Sequence, residues 1–424
     1  MLIKNGRLID PSQDLDGLLD LRITDGKVSE IGENLEPNNE EEVVDAKGFI
    51  VSPGFVDAHV HFRDPGFLYK EDIFSGSEAA AAGGYTSVIC MANTNPVMDN
   101  LETLKYFTDR AKESIINVYT ISALTKGLKG EELVDMEEMI ENGAVGFSDD
   151  GIPNMNINIV LEGIERAKNL DVPISFHEEH PALNKVNGIN EGKVSKELGL
   201  GGAPNVSEDI MVARDAALSL HTGGKICIQH ISSGGAVDIV RRYKNKGANL
   251  YAEVTPNHFS KTEEILLEKG ALAKINPPIR TEDDRREILK GLADNTLTII
   301  ATDHAPHAAE EKSGPIEKAM SGLIGLETSL SLGITNLTSK GIISINKLIE
   351  KMTINPARLY KLNAGTLEVG SVGDVTIFDE NETYTVENFK SKSSNSPYIG
   401  EELQGKIKYT IVRGKVVYSK GEIL

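Results

Sequence analysis

His59 and His61 stand one residue apart in Val56-Asp57-Ala58-His59-Val60-His61. Side chains alternate along an extended chain, so in a strand both imidazoles project from one face. Two imidazoles on one face suit a borderline-soft cation such as Zn²⁺. Similar donors recur at the ends of later apolar runs. Asp149-Asp150 follows Phe147-Ser148, His177 follows Ser175-Phe176, His230 follows Ile228-Gln229, and Asp303 precedes His304 and His307 after Ile300-Ala301-Thr302. Together they exceed the ligands of one tetrahedral zinc. They suit two metals bridged by a carboxylate and a hydroxide, an arrangement that activates water for hydrolysis.

Ligands so far apart must be brought together, and the sequence between about 53 and 364 supplies the means. Apolar, β-branched runs at 55–61, 86–91, 117–122, 144–148, 173–177, 225–230, 249–254 and 298–302 alternate with helix-like stretches at 72–82, 131–142, 157–169, 207–221 and 283–294. Strand–helix alternation predicts an α/β fold with a parallel sheet covered by helices. Eight such strands fit a (β/α)₈ TIM-like barrel, whose active sites lie at the C-terminal strand ends, where these donors fall. A doubly wound open sheet is the alternative. Both chain ends read as short strands: 2–9, 17–24, 27–31 and 43–51 with a hairpin turn at Asp25-Gly26, then 376–378, 407–412 and 416–418. The expected organisation is a barrel over 53–364 and a small β-sandwich domain built from 1–52 and 365–424, since chain termini often lie close together.

The 424 residues are 40% hydrophobic and 25% charged, an ordinary globular balance. Lys plus Arg number 44 against 64 Asp plus Glu, a net charge of −20. That surface repels phosphate backbones and anionic lipid, and no local basic patch offsets it, so neither nucleic acid nor membrane is an expected partner. The N-terminus lacks the apolar core of a signal peptide, and no run approaches the roughly 18 apolar residues of a membrane span. Cys90 and Cys227 lie in apolar runs and read as buried free thiols of a cytoplasmic protein. His177-Glu178-Glu179-His180 has i,i+3 rather than i,i+4 histidines and follows a strand, which excludes a metalloprotease motif. His180, His221 and His258 are expected to make structural hydrogen bonds, and His304 to point away from the ligand face. Gly199-Leu200-Gly201-Gly202 reads as a flexible loop.

Asp57-Ala58-His59-Val60-His61-Phe62-Arg63-Asp64-Pro65-Gly66 and Ala301-Thr302-Asp303-His304-Ala305-Pro306-His307, followed by Lys312, resemble the two signature segments of the dihydroorotases of the amidohydrolase superfamily. The resemblance continues through Lys4-Asn5-Gly6-Arg7, Gly325-Leu326-Glu327-Thr328, Thr353-Ile354-Asn355-Pro356-Ala357 and Ser391-Lys392-Ser393-Ser394-Asn395-Ser396-Pro397. It implies a split β-sandwich around a barrel with two zinc ions per chain. His59, His61 and Asp303 would hold one, His177 and His230 the other, with Asp150 and a hydroxide bridging them. Many superfamily members bridge with a carboxylated lysine from the fourth strand's end. No lysine stands there, and Asp149 is the rival to Asp150.

The implied reaction interconverts N-carbamoyl-L-aspartate and L-dihydroorotate in pyrimidine biosynthesis, with Asp303 as the catalytic proton shuttle. His61, Arg63, Asn93 and His307 would contact the substrate, Arg63 taking its carboxylate bidentately. Asn276, Ser321 and Gly322 would meet the ring, although Met320-Ser321 replaces the Pro-Phe of many relatives. The 305–315 stretch is expected to move over bound substrate. A homodimer and association with aspartate carbamoyltransferase are both compatible with the resemblance. Two other readings are a hydrolase of another cyclic amide and a non-catalytic scaffold. The first gives Arg63 no carboxylate to receive, and the second predicts degraded ligand positions, whereas all six are filled.

Overall fold

A computed structural model describes all of residues 1–424. Phe55–Val60, Tyr85–Cys90 and Asn117–Thr120 form a parallel three-stranded sheet. Ile174–Phe176, Ile226–Ile228, Leu250–Val254 and Ile299–Ile300 form a parallel four-stranded one. Two seams join them into a ring. Phe147 bridges Ser122 on one side and Ile174 on the other, and Val60 bridges His304. Residues 144–148 are thus the fourth stave, with Val145 N donating to Thr120 O and Ser175 N to Phe147 O. The fold is a (β/α)₈ barrel.

The first two strands are buried at every position, as a sheet covered on both faces requires. Helices supply the outer cover. In Ile157–Asn169 the buried Val160, Gly163, Ile164 and Ala167 recur at helical spacing. Ile73–Ala82 begins at a capping box in which the Asp72 carboxylate accepts from Ser75 N. Inside the ring, Ala58, Ile89, Met91, Ile121, Cys227, Ile299 and Ala301 pack with Leu359 and Tyr360. This apolar plug closes one end, and polar groups collect at the strands' C-terminal ends.

The chain ends share a nine-stranded sheet. Its order runs Glu422–Ile423, Lys415–Ser419, Glu402–Val412, Val375–Thr385, Ile50–Pro53, Leu2–Asp10, Leu15–Thr24, Lys27–Gly32, with Val43–Asp45 also on Leu2–Asp10. Its separate core includes Ile3, Leu8, Leu21, Val51, Ile377 and Ile411. Gly54, at the junction with the barrel, lies so close to Thr86 that a Cβ would stand 2.1 Å from its Oγ1.

Several elements differ from the sequence reading, among them the 407–412 strand, which begins at Glu402. The 43–51 run is two strands, because the chain turns between them with Phe49 N on Ala46 O and Gly48 at φ +83°. The helix expected over 131–142 is only Met136–Glu141, since Leu133 pairs with Thr125 and Asp135 caps the helix. The 376–378 strand extends over Val375–Thr385. Both cysteines are buried free thiols, and no helix is long and apolar enough to cross a membrane.

Candidate metal centre and active site

The strand ends bring His59, His61, Asp150, His177, His230 and Asp303 into one cup. One nitrogen of each of His59 and His61 gathers with a carboxylate oxygen of Asp150 within 4.8 Å, and so do those of His177 and His230. Asp150 belongs to both groups. Its Oδ1 lies 3.6 Å from His59 Nε2 and 3.7 Å from both His177 Nδ1 and His230 Nε2, and its Oδ2 lies 3.4 Å from His61 Nε2. Asp303 Oδ1 sits 3.0 Å from His61 Nε2 and 3.5 Å from His59 Nε2. Asp149 faces elsewhere. It accepts from Leu124 N at 2.9 Å, Thr125 N at 3.0 Å and Thr125 Oγ1 at 2.6 Å, which ties the third stave to the fourth. The backbone turns sharply where the strands end: Arg63, His230 and Asp303 have φ of 59°, 33° and 48°. Such left-handed conformations in non-glycine residues concentrate at functional sites.

The electrostatics of the cup call for positive charge. Burial penalises ionisation of Asp150, yet His59, His177 and His230 hold its carboxyl well below the usual carboxylate range. Burial would likewise lower His177, but Asp150 and Glu179 push it up to about 10. Asp150 and Asp303 hold His59 well above its ordinary value against the same penalty. Metal ions meet that demand without added protons. Two buried ring nitrogens, His59 Nε2 and His230 Nδ1, have no hydrogen-bond partner, and His59 Nε2 faces both carboxylates. Four imidazoles and two carboxylates form a donor set that could hold metal.

Beside the cup, half-buried Arg63 makes one hydrogen bond, Nε to Pro306 O at 3.2 Å, and pairs with no carboxylate within 4.0 Å. Its other guanidinium N–H groups are free to bind a ligand. Asn93 is already engaged: its Oδ1 accepts from His61 Nδ1 at 2.9 Å, and its Nδ2 donates to Asp150 Oδ2 at 3.2 Å. His307 Nε2 donates to Ser321 O at 2.9 Å, and its Nδ1 faces Lys70 Nζ at 3.4 Å and Glu311 at 3.3 Å. Gly322 N donates to Lys274 O, and its carbonyl accepts from Lys312 and Asn395. Asn276 Oδ1 is buried without a partner. Gly188, from the loop after the fifth stave, packs against this wall. A Cβ there would stand 2.7 Å from Ser321 Oγ and 2.9 Å from Asn276 Oδ1.

A family model, "Amidohydrolase family", matches residues 50–417. A dihydroorotase of Clostridioides difficile is 55% identical over 99% of this chain and 100% of its own length. One of Clostridium acetobutylicum is 53% identical over 99% of both chains. The chain belongs to the amidohydrolase family, among the dihydroorotases. Among solved structures, the L-hydantoinase (dihydropyrimidinase) of Arthrobacter aurescens superposes with a TM-score of 0.89 at 27% identity, covering 100% of this chain and 97% of that one. The dihydropyrimidinase of Brevibacillus agri gives 0.86 at 21% identity over 100% and 96%, a likeness of fold.

Four histidines outside the cup have other surroundings. His304 Nδ1 accepts from Gly325 N, and its Nε2 lies 3.5 Å from Glu71, away from the cup. His258 Nδ1 meets Thr255 Oγ1 at 2.8 Å and its Nε2 donates to Pro277 O. His180 Nδ1 accepts from Ala182 N. His221, expected to make a structural bond, instead lies exposed in the last turn of Asn205–Thr222 with no side-chain hydrogen bond.

Sequence reasoning missed two carboxylates behind the imidazoles. Glu253 Oε2 accepts from His59 Nδ1 at 3.2 Å, and Glu179 Oε2 from His177 Nε2 at 3.0 Å. The available signals were a glutamate inside the apolar run Tyr251-Ala252-Glu253-Val254 and a second carboxylate directly after His177.

Proposed function

We propose that this chain catalyses the dihydroorotase reaction, the reversible, metal-dependent interconversion of N-carbamoyl-L-aspartate and L-dihydroorotate in pyrimidine biosynthesis. The observation that carries the reading is Arg63, a guanidinium with one backbone bond and no counter-ion at the lip of the cup. A cyclic amide without a carboxylate, such as a hydantoin, leaves that charge unmatched. Dihydroorotate brings the carboxylate, which an arginine receives through two parallel N–H bonds.

Two zinc ions are proposed, one with His59, His61 and Asp303, the other with His177 and His230, and Asp150 common to both. When bound, they supply Lewis acidity toward the amide carbonyl and lower the pKa of the attacking water. The chain's residues do the rest. Arg63 anchors the substrate carboxylate. Asn93 keeps its Oδ1 on His61 and offers its second Nδ2 proton to the substrate, and His307, on the same side, exchanges its present hydrogen bonds for substrate ones. Asn276, through its unpartnered Oδ1, and the Ser321–Gly322 wall orient the ring. Asp303 takes the proton from the attacking water during hydrolysis and hands it to the departing ring nitrogen. In ring closure the proton moves the other way.

Two equivalents of zinc on the purified chain, with ring closure of N-carbamoyl-L-aspartate that chelation abolishes and zinc restores, are the expected results. Turnover of hydantoin or dihydrouracil in place of dihydroorotate would overturn the substrate assignment. The substrate is a small molecule, and the cytoplasm is the proposed compartment.

A further inference from the structure

We propose that Glu179 is a positioning residue for His177 and sustains the second metal position, the His177–His230 pair. The inference rests on the two-metal reading above. A neutral imidazole carries one ring proton, and an outer acceptor decides which nitrogen keeps it. His59 gives its outer proton to Glu253 and His61 gives its own to Asn93, so both members of the first pair are oriented from behind. In the second pair only His177 has such a partner, Glu179 at 3.0 Å, because His230 Nδ1 is buried with none.

The geometry shows what Glu179 prevents. His177 Nδ1 and His230 Nε2 face each other at 3.0 Å, both beside Asp150. With the His177 proton held at Nε2 by Glu179, Nδ1 turns a lone pair inward, and the one proton in the 3.0 Å contact is His230's, which can shift to its unpartnered Nδ1 and leave both facing nitrogens to a cation. With Glu179 removed, the proton can sit at Nδ1 and be donated to His230 Nε2. That imidazole–imidazole bond occupies both donors of the second position. Glu179 is suited to hold the proton outward. It is buried, its ion-pair contact is His177, and its Oε1 is fixed by Asn184 Nδ2 at 3.0 Å.

The test is calorimetric zinc titration of the stripped full-length chain, with cobalt absorption spectra reporting ligand geometry. The wild type is expected to take two equivalents. Glu179→Ala should leave the first unchanged and weaken the second about 10–100-fold. Glu179→Gln, whose amide oxygen still accepts from His177, should recover most of the loss. Glu253→Ala should weaken the first instead. Asn184→Ala should give a smaller second-site loss, and it carries the test if Glu179→Ala does not fold. A wild type binding fewer than two equivalents overturns the two-metal reading itself. Two equivalents in the wild type, with Glu179→Ala either indistinguishable from it or weakening both sites equally alongside a lower metal-free melting point, overturns only the role of Glu179.

Discussion

At the scale of single residues, the proposed reaction divides between Arg63, which would hold charge, and Asp303, which would move a proton. A hydrogen bond to a charged group contributes about 1.5–3 kcal/mol, so Arg63→Met should lower kcat/KM for dihydroorotate roughly 10–100-fold, mostly through KM. Steady-state kinetics decide this, and an unchanged KM would remove Arg63 from the carboxylate site. Asp303→Ala removes the shuttle. The expected loss in kcat is at least the 10²–10⁴-fold typical of general acid–base catalysis, in both directions. Ring closure of a carboxylate consumes a proton, so its rate should rise toward acid relative to hydrolysis; equal pH profiles in the two directions would count against the shuttle. The proposed ligands were legible because His59, His61, Asp150, His177, His230 and Asp303 all fall at the ends of apolar runs, a convergence that no one of them would show alone. Glu253 was not, because it meets His59 across 194 residues of chain and only the closed ring brings them together.

At the scale of elements, two lysines shape the substrate wall. Lys312 Nζ donates to the carbonyls of Lys274, Met320 and Gly322, and Lys274 Nζ to those of Glu317 and Ala319. The 305–315 loop, expected to move, is therefore pinned at Lys312 to the segment whose Ser321 carbonyl holds His307. Burial, with Lys274 nearby, pushes the Lys312 pKa down to about 7 from 10.5. Between those values the unfolded chain binds the extra proton, so this group makes stability rise with pH across that window. Urea midpoints at pH 7 and 9.5 should differ by an increment that Lys312→Met lacks; parallel shifts in both chains would contradict it. The eight staves were legible because buried parallel strands read as unbroken apolar runs. The break in 43–51 was not, since Val43, Val44, Phe49, Ile50 and Val51 look like one strand until the Gly48 turn is seen.

For the molecule as a whole, an anionic substrate must approach a chain of net charge −20. Attraction is local, supplied by the proposed ions and Arg63, and at about 10 Å screening in 0.1 M salt the acidic surface is largely hidden from the cup. The same ions couple to stability. A metal present at 100 times its Kd stabilises the folded state by about 2.7 kcal/mol, so zinc should raise the melting temperature by several degrees. Asp150→Ala should abolish most of that rise and also lower the metal-free melting point, because the buried His59 and His177 lose the carboxylate that stabilises their charged forms. Scanning calorimetry of both chains with and without zinc checks it.

Ile50–Pro53 lies between Leu2–Asp10, made just before it, and Val375–Thr385. About 320 residues separate Pro53 from Val375. At about 5–20 residues per second, a chain emerging from the ribosome leaves that flank unpaired for roughly 15–60 s. Ribosome-arrested chains ending near residue 370 should be cut by protease within 1–53, and chains carrying the Glu402–Val412 strand should resist. During synthesis the barrel can complete its ring while an open backbone edge still hangs beside it, so neighbouring nascent chains on one message can cross-pair there.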